Sequence, residues 1–98
     1  MPGGFEYHPE ARAELLAEFD WYADRSLAAA EGFIEQVGAA IDQAVSFALS
    51  GQRYLASTRR IMVHDFPYLV VYRERRSVIE VIAIAHTSRR PGYWRGRL

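Results

Sequence analysis

The 98-residue chain contains neither cysteine nor lysine. Without cysteine, no disulfide or thiolate metal site can form, and the redox compartment is not revealed. Without lysine, all twelve basic side chains are arginine. Burial can tune a lysine into an acid or base, whereas arginine stays charged and serves as a fork for phosphate or carboxylate. Proton transfer is therefore left to His, Tyr, Asp and Glu. Long apolar runs are missing as well. None approaches the roughly twenty residues of a membrane span. The opening "MPGGFEYHPE" lacks the basic start and apolar core of a signal peptide. The expectation is a cytoplasmic protein with no membrane contact. No repeat or low-complexity segment is visible.

What is present suits one small domain spanning 1–98. Half of the residues are hydrophobic, enough for a modest core. The formal net charge is zero, but its distribution is lopsided. Residues 1–58 carry three arginines against nine acids, and residues 59–98 carry nine arginines against three. Such asymmetry suggests a basic face for an anionic partner, although acids on exposed helix faces also produce it.

The patterning gives an order of elements. "FEY" at 5–7 is a short strand candidate. Pro9 suits a first helical turn, where its missing N–H costs nothing. Glu10 and Glu14 lie near that positive helix end. Ala11, Leu15, Phe19, Tyr22 and Ala23 then recur at helical steps as far as about Arg25. Ser26 is a suitable N-cap for a second helix, and Gly51 a suitable stop. The short join predicts an antiparallel helix hairpin. Residues 59–65, 68–74 and 77–86 are rich in β-branched and aromatic residues and read as strands. The expected fold is α+β, β-α-α-β-β-β, with the hairpin on one face of a small antiparallel sheet. The ends, about 1–4 and 95–98, are expected to be flexible.

Both faces of the later strands are apolar. Strict alternation puts Ile79, Val81, Ala83 and Ala85 on one side of the last strand. Val78, Ile82 and Ile84 fall on the other, interrupted by Glu80. On the preceding strand, Leu69 and Val71 oppose Val70 and Tyr72. Two helices cover one face only. The second must be covered by the C-terminal tail or by another chain.

Three stretches resemble the RelE/ParE superfamily of toxins from bacterial type II toxin–antitoxin modules. They are "HPEARAEL" at the first helix, "HDFPYLVVYRE" leading into a strand, and "VIEVIAIAHTSRRPGYW" near the end. The resemblance covers nearly the whole chain, and "RRPGYW" lies closer to the ParE branch. It implies a compact toxin neutralised by a cognate antitoxin that wraps it. Val70, Tyr72, Ile82 and Ile84 are the expected antitoxin contacts. ParE-like members inhibit DNA gyrase by binding, without evident catalysis. RelE-like members cut messenger RNA on the ribosome. A degenerate toxin that only binds its antitoxin is a third reading.

RNA cleavage needs a base, an acid and cations for the developing charge. His86 and Tyr93 are the candidate proton movers if the chain is a nuclease, with His64 a weaker one. Arg59, Arg60, Arg73, Arg89 and Arg90 are candidates to bind phosphate or a protein target. RelE-type nucleases commonly rely on lysines, and none is present. Arginine, tyrosine and tryptophan are the composition of interface anchors, so the tail is read as a gripping surface. Trp94 is a candidate target contact, and equally a core plug closing the sheet. His64 and His86 have no carboxylate at ligand-like spacing, so neither metal nor cofactor is expected.

Overall fold

The computed structural model describes residues 4–98. Strand β1 spans Phe5–Tyr7, and helices α1 and α2 span Pro9–Ala23 and Leu27–Ser46. Strands β2 (Gln52–Arg53), β3 (Arg59–Met62), β4 (Tyr68–Arg75) and β5 (Val78–His86) follow. Short 3-10 turns occupy Leu55–Ser57 and Arg95–Arg97. The five strands form one sheet in the order β1-β5-β4-β3-β2. All pairings are antiparallel except that of β1 with β5, so the expected antiparallel sheet carries one parallel edge.

Local chemistry sets the helix starts. Pro9 occupies the first turn of α1, and the His8 ring accepts from the Glu10 amide at 3.1 Å as N-cap. Ser26 caps α2 as expected, accepting from the Ala29 amide at 3.2 Å. Gly51 does not stop α2, which ends at Ser46. Its role is close approach. Its amide donates to the Tyr72 hydroxyl at 3.0 Å, and an added Cβ would meet that oxygen at 2.4 Å. The same hydroxyl donates to the Ala48 carbonyl at 2.7 Å, pinning the segment after α2 to the sheet.

Two strand expectations need correction. The strand expected over 59–65 is β3 and ends at Met62, because His64 and Asp65 turn instead, with Asp65 at a φ of 67°. The strict alternation on the last strand fails at Ile82. Val71 pairs with Ala83 but Tyr72 pairs with Val81, which leaves Ile82 as an extra residue in β5. The bulge shifts the alternation by one. Ile79, Val81 and Ile84 face the helices, while Ile82, Ala83 and Ala85 face away.

The main core lies between the helices and the sheet. Phe33, Val37 and Ile41 of α2 and Leu15 of α1 pack on Val70, Tyr72, Ile79, Val81 and Ile84. Three of the expected antitoxin contacts, Val70, Tyr72 and Ile84, are thus sealed beneath the protein's own helices. Ile82, the fourth, belongs to a smaller core on the opposite face with Val71, Ala83, Ala85 and Trp94. The tail covers part of that face. Trp94 is 1% exposed and plugs it.

The described ends make bonds to the rest of the domain. The Gly4 carbonyl accepts from the Ile79 amide at 3.0 Å. The Arg95–Arg97 turn docks through Arg97, which bonds Glu14 and the Ile82 carbonyl. Residues 1–3 lie outside the described part. Among the described residues, no helix is long and apolar enough to cross a membrane.

Candidate functional site: an arginine-lined pocket beneath the C-terminal tail

The tail leaves β5 at His86, turns at Pro91-Gly92, and returns over the outer face of the sheet. Gly92 has a φ of 82°, which favours glycine at this bend. Between the returning tail and β3–β5 lies a pocket of about 280 Å³. It gathers Arg60, His86, Arg89, Arg90, Tyr93 and Trp94, six of the residues singled out in the sequence. Gln52, Tyr54, Thr87 and Pro91 complete the walls, with Met62, Leu69 and Ala85 as apolar lining. No acidic residue lines it.

Two guanidinium groups are held on opposite walls. Arg60 of β3 donates from Nε to Gln52 Oε1 at 2.9 Å and lies over the Tyr54 ring at 4.6 Å. Arg89 lies over the Tyr93 ring at 3.9 Å. Each cation lies against an aromatic face.

The candidate proton movers are committed elsewhere. The Ser88 amide donates to His86 Nδ1 at 3.0 Å. An amide can only donate, so Nδ1 is the acceptor and the neutral ring carries its proton on Nε2. The Ser88 hydroxyl lies 2.7 Å from the same nitrogen, and the ring packs edge-on against Tyr68 at 5.1 Å. Tyr93 donates its hydroxyl proton to Glu14. Burial first, and then the hydrogen bond and negative charge of Glu14, hold the Tyr93 pKa well above the usual phenol value. Neither group is placed as a free base, and the lining contributes no carboxylate to serve as one.

Trp94 forms the buried floor rather than an exposed anchor, with Tyr54 beside it at 5.9 Å between ring centroids. The remaining candidates lie apart from the pocket. Arg59 donates from Nη1 to the carbonyls of Leu49 at 3.1 Å and Gly51 at 2.8 Å, fixing the segment after α2. Arg73 pairs across the strands with Glu80 at 2.9 Å, toward the β4–β5 turn. His64 stands exposed on a turn, 3.4 Å from Asp65. Among the described residues, no group of three or more His, Asp or Glu could hold a metal ion.

The residue that sequence reasoning missed as a site element is Glu14. Its carboxylate accepts from Tyr93, from both terminal nitrogens of Arg97, and from the Ile84 amide at 3.1 Å. β1 pairs with β5 only as far as Val81, which leaves the backbone beyond it without a strand neighbour on that side. Glu14 and Arg97 take up two of those groups, the Ile84 N–H and the Ile82 carbonyl. Glu14 therefore secures the wall that carries Tyr93 and Arg89. Its one sequence signal was its place near the start of α1, which suggested only a helix-end charge.

An arginine-rich hollow walled by its own C-terminal tail, on a sheet backed by a helix hairpin, describes a small α+β domain with the toxin architecture suggested by the sequence motifs. Comparison with known proteins makes the assignment specific. The family model described as ParE toxin of type II toxin-antitoxin system, parDE, matches residues 5–91, and the chain belongs to that family. No curated protein sequence matches it. Among solved structures, a chain of the chromosomal ParDE TA system from P. aeruginosa superposes with a TM-score of 0.73. The two are 16% identical, and the match covers 85% of this chain and 94% of that one, a likeness of fold.

Proposed function

We propose that this toxin inhibits DNA gyrase by binding it through the arginine pocket, and that a cognate antitoxin neutralises it in the cytoplasm. The observation that carries the reading is the contrast within the pocket. Its cations are pre-positioned, while its two possible proton movers are tied into structural bonds. Such a site can grip an anionic surface but lacks a free base to activate a hydroxyl.

The antitoxin-facing surface is better sought on the helices than on the sheet. Leu16, Trp21, Leu27 and Ile34 expose large apolar side chains there. A flexible antitoxin segment with apolar anchors would find its contacts among them.

The test is a pair of assays on the purified protein, one of gyrase supercoiling and one of messenger RNA on programmed ribosomes. The expected result is gyrase inhibition with intact RNA. Ribosome-dependent cuts that vanish in His86→Ala or Tyr93→Phe would replace this reading with the nuclease one. Inertness in both assays, with no growth arrest on expression, would leave a chain that only binds its antitoxin.

A further inference from the structure

We infer that the arginine pocket seats one nucleotide of an unpaired DNA strand, with the neighbouring nucleotide continuing past Tyr54. The choice of DNA over RNA rests on the gyrase reading above; the rest stands on the geometry. The first observation is the excess of ordered cations. The bond to Gln52 uses Nε of Arg60, a residue of the pocket lining, and not its terminal nitrogens. Arg89 reaches in from the opposite wall, and Arg90 is a third cation in the lining. One carboxylate is satisfied by one guanidinium fork. Three cations and no acid suit the oxygens of a phosphodiester. The Nε2–H of His86 and the Thr87 hydroxyl supply further donors at the same wall. The apolar lining of Leu69 and Ala85 offers a place for a base, and guanidinium planes themselves stack on bases.

The second observation is that the hollow does not end at Tyr54. That residue also borders a neighbouring depression lined by Arg53, Ser57, Thr58 and Arg59, again without an acid. The two hollows share Tyr54, and in the second one Arg53 is the cation not bonded to the backbone, since Arg59 is held by the Leu49 and Gly51 carbonyls. Cations interleaved with aromatics along a groove are the pattern of single-strand binding. A paired base is held inside its duplex, and a cavity of about 280 Å³ has no room for the duplex itself.

The experiment is fluorescence anisotropy of a labelled single-stranded thymidine oligonucleotide titrated with the full chain at low salt. Parallel titrations use the matching uridine strand and a DNA duplex. The wild-type protein is expected to bind the thymidine strand saturably and the duplex far more weakly. Arg60→Gln and Arg89→Gln should each weaken binding about tenfold. Each should also flatten the dependence of log affinity on log salt by about 0.7. Arg73→Gln, outside the pocket, should change neither. Circular dichroism checks that each variant is folded. Absence of saturable binding, equal losses in Arg73→Gln, or binding of the uridine strand alone overturns the inference. Supercoiling assays on the same wild-type preparation keep the two readings distinct. Gyrase inhibition without strand binding ends this inference and leaves the gyrase reading. Strand binding without inhibition ends the gyrase reading while the site still stands.

Discussion

Glu14, in the first helix, and Arg97, next to the last residue, form a two-pronged ion pair. Arg97 Nη1 lies 2.8 Å from Glu14 Oε1, and Nη2 lies 3.1 Å from Oε2. Both side chains are largely buried. Burial disfavours the charge on Arg97, but its hydrogen bonds and attraction to Glu14 outweigh that, and its pKa is raised. Removing one partner strands the other and also orphans the Ile84 amide and the Tyr93 hydroxyl. Glu14→Gln should therefore cost about 2–3 kcal/mol of stability. Urea unfolding measures it. A double-mutant cycle with Arg97→Gln should give a coupling of about 1–3 kcal/mol. Additive losses would show that the pair does not hold the tail.

Trp94 and Trp21 make a contrast within one residue type. Trp94 is 1% exposed and fills the small outer core, while Trp21 is 49% exposed on α1. Trp94→Ala should destabilise by about 3–5 kcal/mol. Trp21→Ala removes a cation–π contact with Arg25, an edge contact with Tyr22 and a half-buried ring, so a smaller loss of about 1–2 kcal/mol is expected. Thermal unfolding of the two variants checks the difference.

The β4–β5 hairpin turns through Arg76 and Ser77 at φ values of 52° and 64°. Left-handed backbone costs L-residues roughly 1–2 kcal/mol each, and Asn-Gly is the pair that tolerates this turn. The double replacement Arg76→Asn with Ser77→Gly should raise stability by about 1 kcal/mol or more. A denaturation midpoint moving upward without a change of slope is the expected outcome.

Alkaline pH should unfold the chain through two tyrosines. Tyr68 donates to Glu18 as Tyr93 does to Glu14. Burial first, and then these acids, raise both pKa values. In the unfolded chain tyrosine titrates near pH ~10. Below that pH both states hold the proton and the stabilisation is complete. Above it the unfolded state releases protons that the native state keeps, so stability falls, by at most about 1.4 kcal/mol per pH unit for each tyrosine. Unfolding free energies measured on either side of that pH should show the fall, and Tyr68→Phe with Tyr93→Phe should reduce it.

Much of the architecture was legible because periodicity reports local packing. The apolar stripes located both helices, and Pro9 and Ser26 located their starts. The two apolar faces of the later strands marked the C-terminal tail as one of two candidates to cover the second face. What stayed hidden depends on partners far along the chain. Glu14 meets residues 79 and 83 positions away, which no local pattern encodes. The Ile82 bulge has no signature in a run of apolar residues, yet it puts Ile82 and Ile84 on opposite faces of the sheet. Arg59 and Arg60 are neighbours in sequence, but the pleat sends them to opposite faces, one to structure and one to the pocket.

The central claim is that the toxin works by gripping through the pocket arginines. The most direct measurement is gyrase supercoiling inhibition by the wild-type protein, the Arg60→Gln/Arg89→Gln double variant and the His86→Ala variant. Wild type should inhibit, and His86→Ala, which removes one donor but no cation, should keep most of that inhibition, while the double variant, folded, should lose inhibition by at least about tenfold. Full inhibition by the double variant, or none by the wild-type protein, would contradict the account.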